Sequence, residues 1–533
     1  MNAFVGFRQL LEVDARQSRR IIAPWVGIVT VLTASSMIGY AIVFDDPVFR
    51  RTFSATIGTN PAFSLLFGPP SDFATADAFN VWRALGLGSF FTSLMAILVV
   101  TANSRAGEDS GQAELVASGV VGRQARLAAA VGLAWIASLM VGVVSGAVTL
   151  LLGGDLVATL LTSAAFTASG MVFGAVAAVT AQIGSFSQTA NSLAVSLLGV
   201  CYLARGFATA SPDEDWLLWF TPLGWTQKVA PNSDNNPWPL LACLGLSLVL
   251  LLIAFVLAGR RDFGMGLLPP APGPDRGRLV TSSAGLALRL QRGLMTSWAV
   301  AFVVLGTVFG LLSPSIGDLF ANNPQVEIFL AVTGNTRADL VFGFLHTLLQ
   351  ILAIIAAVFG IQVLMKFLTE ETEYRAEPVL AAAVSRPQLM ASHVVIALAG
   401  PALVLVLGGL VLALTAQATG TEVSVHDLVL QSVVEVPALW ILVGVGMVVV
   451  GVHPAARLAA WVGVVATFGL TILGPSLNLP GWLLDVSPLR HVPNVTAEAV
   501  DWWPLGWLCG IALVLGLVGF VGFRRRDLLY EQP

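Results

Sequence analysis

The polar chemistry of this chain is concentrated in two short segments. Glu108 to Arg123 reads EDSGQAELVASGVVGR, and 263 positions later Glu371 to Arg386 reads ETEYRAEPVLAAAVSR. Aligned without gaps, Glu108, Ala113, Glu114, Val116, Val121 and Arg123 return as Glu371, Ala376, Glu377, Val379, Val384 and Arg386. Each segment opens with acids (Glu108 and Asp109; Glu370, Glu371 and Glu373) and closes with an arginine. That order suits the dipole of a short helix, and a solvated helix doing nothing else would share it. Recurrence at the same place in both halves favours a second use, a pair of docking elements that a symmetric dimer could grip. Nothing in either segment supplies a catalytic residue or a metal site.

The other ionisable groups are few. Glu435, within Gln431–Pro437 (QSVVEVP), is the one acid inside an apolar run. An ionisable group there costs about 2.5–3.5 kcal/mol on insertion scales, so it must face the bundle interior or a cavity. It could bind a cationic substrate, carry protons or pair with another helix; a shallow, wet position near the outer end is the alternative. His346 and Gln350, spaced i and i+4, share a helix face and could line a polar path, or make satisfied hydrogen bonds to neighbouring helices. His393 is expected at the interface. A phosphate-cradling loop needs glycines followed by Lys and Ser or Thr. The two lysines, Lys228 and Lys366, stand in no such context, so any ATP-driven action requires a separate ATPase polypeptide. Cys201, Cys243 and Cys509 each lie in a different apolar run; they read as small packing residues, with no disulfide framework, metal cluster or cofactor implied.

The elements that position these groups are membrane helices. Of 533 residues, 56% are hydrophobic and 11% charged, against roughly 25% charged in a soluble domain; mean hydropathy is +0.83. No basic tract suggests nucleic acid. Spanning the hydrocarbon takes about 20 residues, and twelve runs qualify: 21–43, 84–103, 126–152, 156–181, 190–209, 238–258, 295–313, 341–366, 388–415, 428–450, 456–477 and 504–522. The first, at 23 residues, exceeds the roughly 7–15 of a signal peptide and is expected to be retained. Phe4–Arg19 and Ser283–Leu294 are expected as interfacial helices on the inner surface; a helical extension of the span is the alternative for the first. With the N-terminus inside, 20 of the 27 basic residues fall on the inner side, which places both termini in the cytoplasm. The fold class is an all-α polytopic membrane protein.

The chain also reads as a tandem duplication. Trp216-Leu217-Leu218 returns as Trp482-Leu483-Leu484, Pro222-Leu223 as Pro488-Leu489, and Arg260-Arg261-Asp262 as Arg525-Arg526-Asp527. An even number of spans per copy leaves both facing the same way, related by a pseudo-twofold axis along the membrane normal. The expected division is 1–266, a Pro-rich linker at 267–280 and 281–533. Asp215–Gln227 and Gly481–Pro493, rich in Trp, Leu and Pro, are too short to span. They are read as re-entrant or interfacial segments at the outer mouth, marked by Trp216, Pro222, Trp482 and Pro488, and an aromatic belt is compatible with that reading.

Twelve spans in two halves, with an acidic segment after the second span of each, resemble the fused permease of an ABC-2-type exporter. The likeness is closest to the actinobacterial tetronasin/polyketide-antibiotic and multidrug efflux permeases and covers nearly the whole chain. It rests on the two acidic segments, the Trp-Leu-Leu…Pro-Leu segments and Arg260–Gly266 (RRDFGMG). The resemblance implies a plasma-membrane exporter of hydrophobic or amphipathic compounds, driven by two copies of a separate ATPase that hold ATP and Mg²⁺. It further implies that Glu108, Asp109, Glu114, Arg123, Glu371, Glu377 and Arg386 couple the two. Pro378, where the first copy has Leu115, permits a helix start but not an unbroken helix, so the second element is expected to be shorter or kinked. A proton-coupled secondary multidrug transporter and a polytopic membrane enzyme are the alternatives. The first would need buried ionisable relays, and the second a convergent acid and histidine constellation.

Overall fold

The computed structural model describes residues 3–43, 67–68, 73–109, 111, 114, 119, 121–210, 212–262, 264–268, 282–321, 337–382, 384–473, 480–497 and 499–526. Lipid offers the backbone no hydrogen-bond partners, so a chain this apolar must satisfy its amides within helices. The described residues contain helices and no strand, and twelve helices are long and apolar enough to cross a membrane. The chain divides into two compact units, Met1–Gly273 and Pro274–Pro533. Of the Pro-rich linker, 269–280 lies outside the described residues, as do most of 110–120 and Asp527.

Unit one contains α1 (Phe7–Val43), α2 (Ala76–Asn103), α3 (Ala125–Leu151), α4 (Leu156–Ile183), α5 (Ser187–Ala210) and α6 (Trp238–Arg260). The most deeply buried is α2, packed by α1, α3, α4 and α5. Along it Thr92 Oγ1 donates to the Gly88 carbonyl and Ser93 Oγ to that of Ser89, each at 2.7 Å. Two of these helices start on side-chain caps, Thr75 accepting from Ala78 N–H and Asp155 from Ala158 N–H.

Unit two contains α7 (Ser283–Ala321), α8 (Arg337–Thr372), α9 (Arg386–Ala418), α10 (Val425–Val452), α11 (Pro454–Thr471) and α12 (Trp503–Arg525). Its buried centre is α8 with α10. Pro437 has no N–H to give to the carbonyl of Val433, and α10 is accordingly two helices, Val425–Val434 and Val436–Val452, meeting at Glu435. The eleventh span is irregular: a 3₁₀ turn (Pro454–Trp461), an α-helical stretch (Val462–Phe468) and a π turn (Gly469–Leu473).

Of the two readings of the residues before the first span, the helical extension is what forms: α1 runs unbroken for 37 residues, through Pro24, about 55 Å at 1.5 Å per residue. The same holds for Ser283–Leu294, which is the first part of the 39-residue α7. No turn sequence separates the charged stretch from the apolar one in either case, so the helix propagates through both.

Glycines let α12 dock on α10. A Cβ on Gly451 would stand 1.9 Å from the Gly519 carbonyl oxygen, and one on Gly519 would stand 2.6 Å from that of Met447. Gly510, on the same helix α12, has open space around it. Gly451→Leu should therefore lower the thermal unfolding midpoint in detergent, at the overpacking cost of about 1–3 kcal/mol. Gly510→Leu should leave it nearly unchanged, and equal midpoints for the two variants would refute this seam.

Candidate functional site

In each unit the acidic segment leaves the second helix, and its first glutamate turns inward. Glu108 belongs to the short helix Arg105–Asp109, whose turn aims its carboxylate at the end of α6. Arg261 grips it at two points, Nη2 to Oε1 at 2.6 Å and Nη1 to Oε2 at 2.8 Å. Arg105, fully buried, adds a third donor at 2.7 Å. The guanidinium of Arg105 also donates to the carbonyls of Ser185 (3.0 Å) and Gly264 (3.0 Å). Arg261 reaches Gln182 Oε1 through Nε at 2.7 Å. The ends of α2, α4 and α6 are thus joined by one charged network, in which planar forks meet planar carboxylates with little freedom to slide.

Unit two repeats the pair. Glu371, near the end of α8 and almost fully buried, takes Arg526 at 2.5 Å (Nη1 to Oε1) and 2.6 Å (Nη2 to Oε2). The closing arginines match as well: Arg123 donates to the carbonyl of Arg261 at 2.8 Å, and Arg386 to that of Arg526 at 3.2 Å. Asp109 accepts from Ser187 N–H at 2.6 Å, anchoring the start of α5. Five of the seven residues singled out as coupling residues, Glu108, Asp109, Arg123, Glu371 and Arg386, therefore make bonds within their own unit. Glu114 and Glu377 are exposed and have no ion-pair partner among the described residues. Glu377 opens the five-residue helix Glu377–Ala381 with Pro378 in its first turn, the short element expected there.

The first segment is also tied to the N-terminus: Gly122 N–H donates to the Val5 carbonyl (2.8 Å) and Gln124 N–H to that of Ala3 (3.1 Å). Beside the clamp of unit one lies a polar cavity of about 440 Å³ lined by Glu108, Arg123, Arg126, Gln182, Arg261 and Asp262, among others. Sequence reasoning had Arg261 and Arg526 in view as repeated residues but not as partners, and it missed Arg105 and Gln182. The available signal was that the glutamates and the arginines recur at nearly equal offsets.

The polar path candidates do meet. Glu435 is fully buried, its Oε1 3.0 Å from Nε2 of His346. The same ring nitrogen lies 3.1 Å from Gln431 Nε2 and 3.5 Å from Gln350 Nε2. From this cluster, Gln350 donates to the Leu489 carbonyl (3.2 Å), Gln431 donates to that of Pro493 (3.1 Å) and Gln431 Oε1 accepts from Val495 N–H (3.0 Å). The cluster lies where α8, the two halves of α10 and the Leu489–Val495 segment meet. His393 is buried, with its ring 4.8 Å from that of Phe367.

The outer segments are short helices: Pro212–Phe220 and Pro222–Lys228 in one unit, Gly481–Leu484 and Pro488–His491 in the other. Pro222 and Pro488 each sit in a first turn, after Thr221 and Ser487, and the following Leu223 and Leu489 are buried. Trp216 and Trp482 are exposed, as befits rings at a headgroup boundary. Buried Arg205 donates to Gln227 Oε1 at 2.9 Å and holds the first segment much as Gln431 and Gln350 hold the second. Each unit also has an apolar groove between its third, fourth and sixth helices. That of unit one, about 570 Å³, includes Leu139, Gly146, Ser163 and Leu241. That of unit two, about 620 Å³, includes Leu398, Trp440, Cys509 and Phe520.

A family model described as the multidrug efflux system permease Rv1217c, C-terminal domain, matches residues 22–257 and 280–524. The multidrug efflux system permease protein Rv1217c of Mycobacterium tuberculosis is 33% identical over 531 residues, which cover 99% of this chain and 96% of that protein. Twelve helices long and apolar enough to span a membrane among the described residues, and likeness over nearly the full length, lead to one conclusion: the chain belongs to the Rv1217c family of multidrug efflux permeases.

Proposed function

We propose that this chain is the membrane-spanning subunit of an ATP-driven exporter, and that two copies of a separate ATPase seat against segments 108–123 and 371–386. The observation that carries the reading is the matched exposure of Glu114 and Glu377 between loop ends that are fixed within each unit. Between pinned ends, an exposed carboxylate offers a partner something to hold, and it does so in both units. ATP and Mg²⁺ would be held by the partner, and this chain would contribute no catalytic residue. ATP-bound and ATP-free partner must prefer different arrangements of the helices for binding to do work on them. The cargo is a hydrophobic or amphipathic compound, for which the two apolar grooves are the natural stations. The chain would lie in a bacterial plasma membrane with both termini cytoplasmic.

Purification of the native complex should recover an ATPase chain. Glu114→Lys with Glu377→Lys should weaken that association and cut efflux by about tenfold or more, the size of a typical coupling between sites. Wild-type efflux from the double variant would defeat the assignment.

One observation favours the proton-driven alternative, the buried Glu435 beside His346. The two readings part on Glu435→Gln. In the ATP-driven reading this variant keeps its efflux, and efflux follows cellular ATP. A carrier relaying protons through Glu435 would lose efflux in the variant and, in the wild type, on collapse of the proton gradient.

A further inference from the structure

The helices α6 and α12 have less of their surface buried than any other span of their units, 17% and 11% of their apolar windows. Yet each is held at its inner end by the strongest polar contact of its acidic segment. Glu108 and Arg261, and likewise Glu371 and Arg526, meet at two points, and the side chains involved are at most 11% exposed. The arginine that closes each segment bonds the backbone of that same clamp residue. Both ends of each segment therefore converge on one position of the sixth helix. A two-point pair removed from water cannot slip by half its length without leaving a charge uncompensated, so the joint moves as a body or breaks.

We propose that Arg261 and Arg526 are positioning residues that make α6 and α12 travel with the acidic segments. Displacement of a segment is then delivered to the sixth helix of its unit as well as to the second and third helices that bracket it. The groove of each unit is lined partly by that sixth helix, through Leu240, Leu241 and Leu244 in one and Cys509, Leu513 and Phe520 in the other. Travel of the helix would therefore reshape the apolar surface offered to cargo. This inference rests on the reading of the segments as the seat of a partner.

The test uses the full chain with its native partner in membranes. Arg261→Glu and Glu108→Arg should each lower efflux by about tenfold or more while the ATPase still co-purifies, and the charge-swapped double variant, made together with Arg105→Gln because Arg105 also contacts position 108, should regain most of it. The same is expected of Arg526→Glu, Glu371→Arg and their combination. Should a reversal fail to accumulate, E108C/R261C and E371C/R526C, with the native cysteines replaced by Ala, provide the second measurement. Each should export poorly until a short bifunctional thiol reagent joins the pair, and well afterwards. Full efflux in the single reversals, a swap no better than its parents, or a cross-link that abolishes efflux would each overturn the proposal. Failure of the wild-type chain to bring down an ATPase would count against the partner reading instead, and the clamp is scored on efflux rescue alone.

Discussion

A guanidinium taken out of water has to find an anion, and a carboxylate a cation, or the fold forgoes several kcal/mol for each. In this protein that demand is met where it shapes the rest, at the junction of the second, third and sixth helices of each unit. Arg261 with Glu108, and Arg526 with Glu371, close two loops that would otherwise trail from the bundle. Removing one partner of such a pair leaves a buried charge, at a cost on the order of 3–5 kcal/mol. Both clamps therefore hold without help from the hydrophobic effect, which has little to offer between helices already surrounded by lipid.

Elsewhere in the bundle, close approach takes over. Gly451 and Gly519 let backbones touch, and Gly88 accepts the ring of Phe166, where a Cβ would come within 2.5 Å. At the end of each unit away from the clamps, the two differ. One sends Arg205 up to Gln227, and the other gathers His346, Gln350, Gln431 and Glu435 beneath Leu489, Pro493 and Val495. The two units thus share one electrostatic device and differ at the end away from it.

Most of the architecture could be read from the chain. Twelve apolar runs of sufficient length became twelve helices, because in hydrocarbon no other conformation satisfies the backbone. The short helix at Pro378 followed from a ring that cannot continue one. What could not be read was which way a charge points. Glu108 and Glu114 look alike in sequence and recur together, yet one is inward and bonded while the other is outward and open. Repetition registers that a residue matters without saying whether its mate is another protein or an arginine some 150 positions along the same chain; here the second holds for Glu108 and Arg261. The extent of α1 and α7 was likewise hidden, since the change from charged to apolar composition does not interrupt a helix.

Cys201 and Cys243 are buried, whereas Cys509 is exposed and borders the groove of unit two. A soluble alkylating reagent must reach a thiol to modify it, and of the three thiols only that of Cys509 is exposed. The alkylation rate of Cys509 is therefore a native hygrometer for that groove: sluggish while acyl chains or an apolar guest fill it, quick when it wets, with no label or mutation needed to read it.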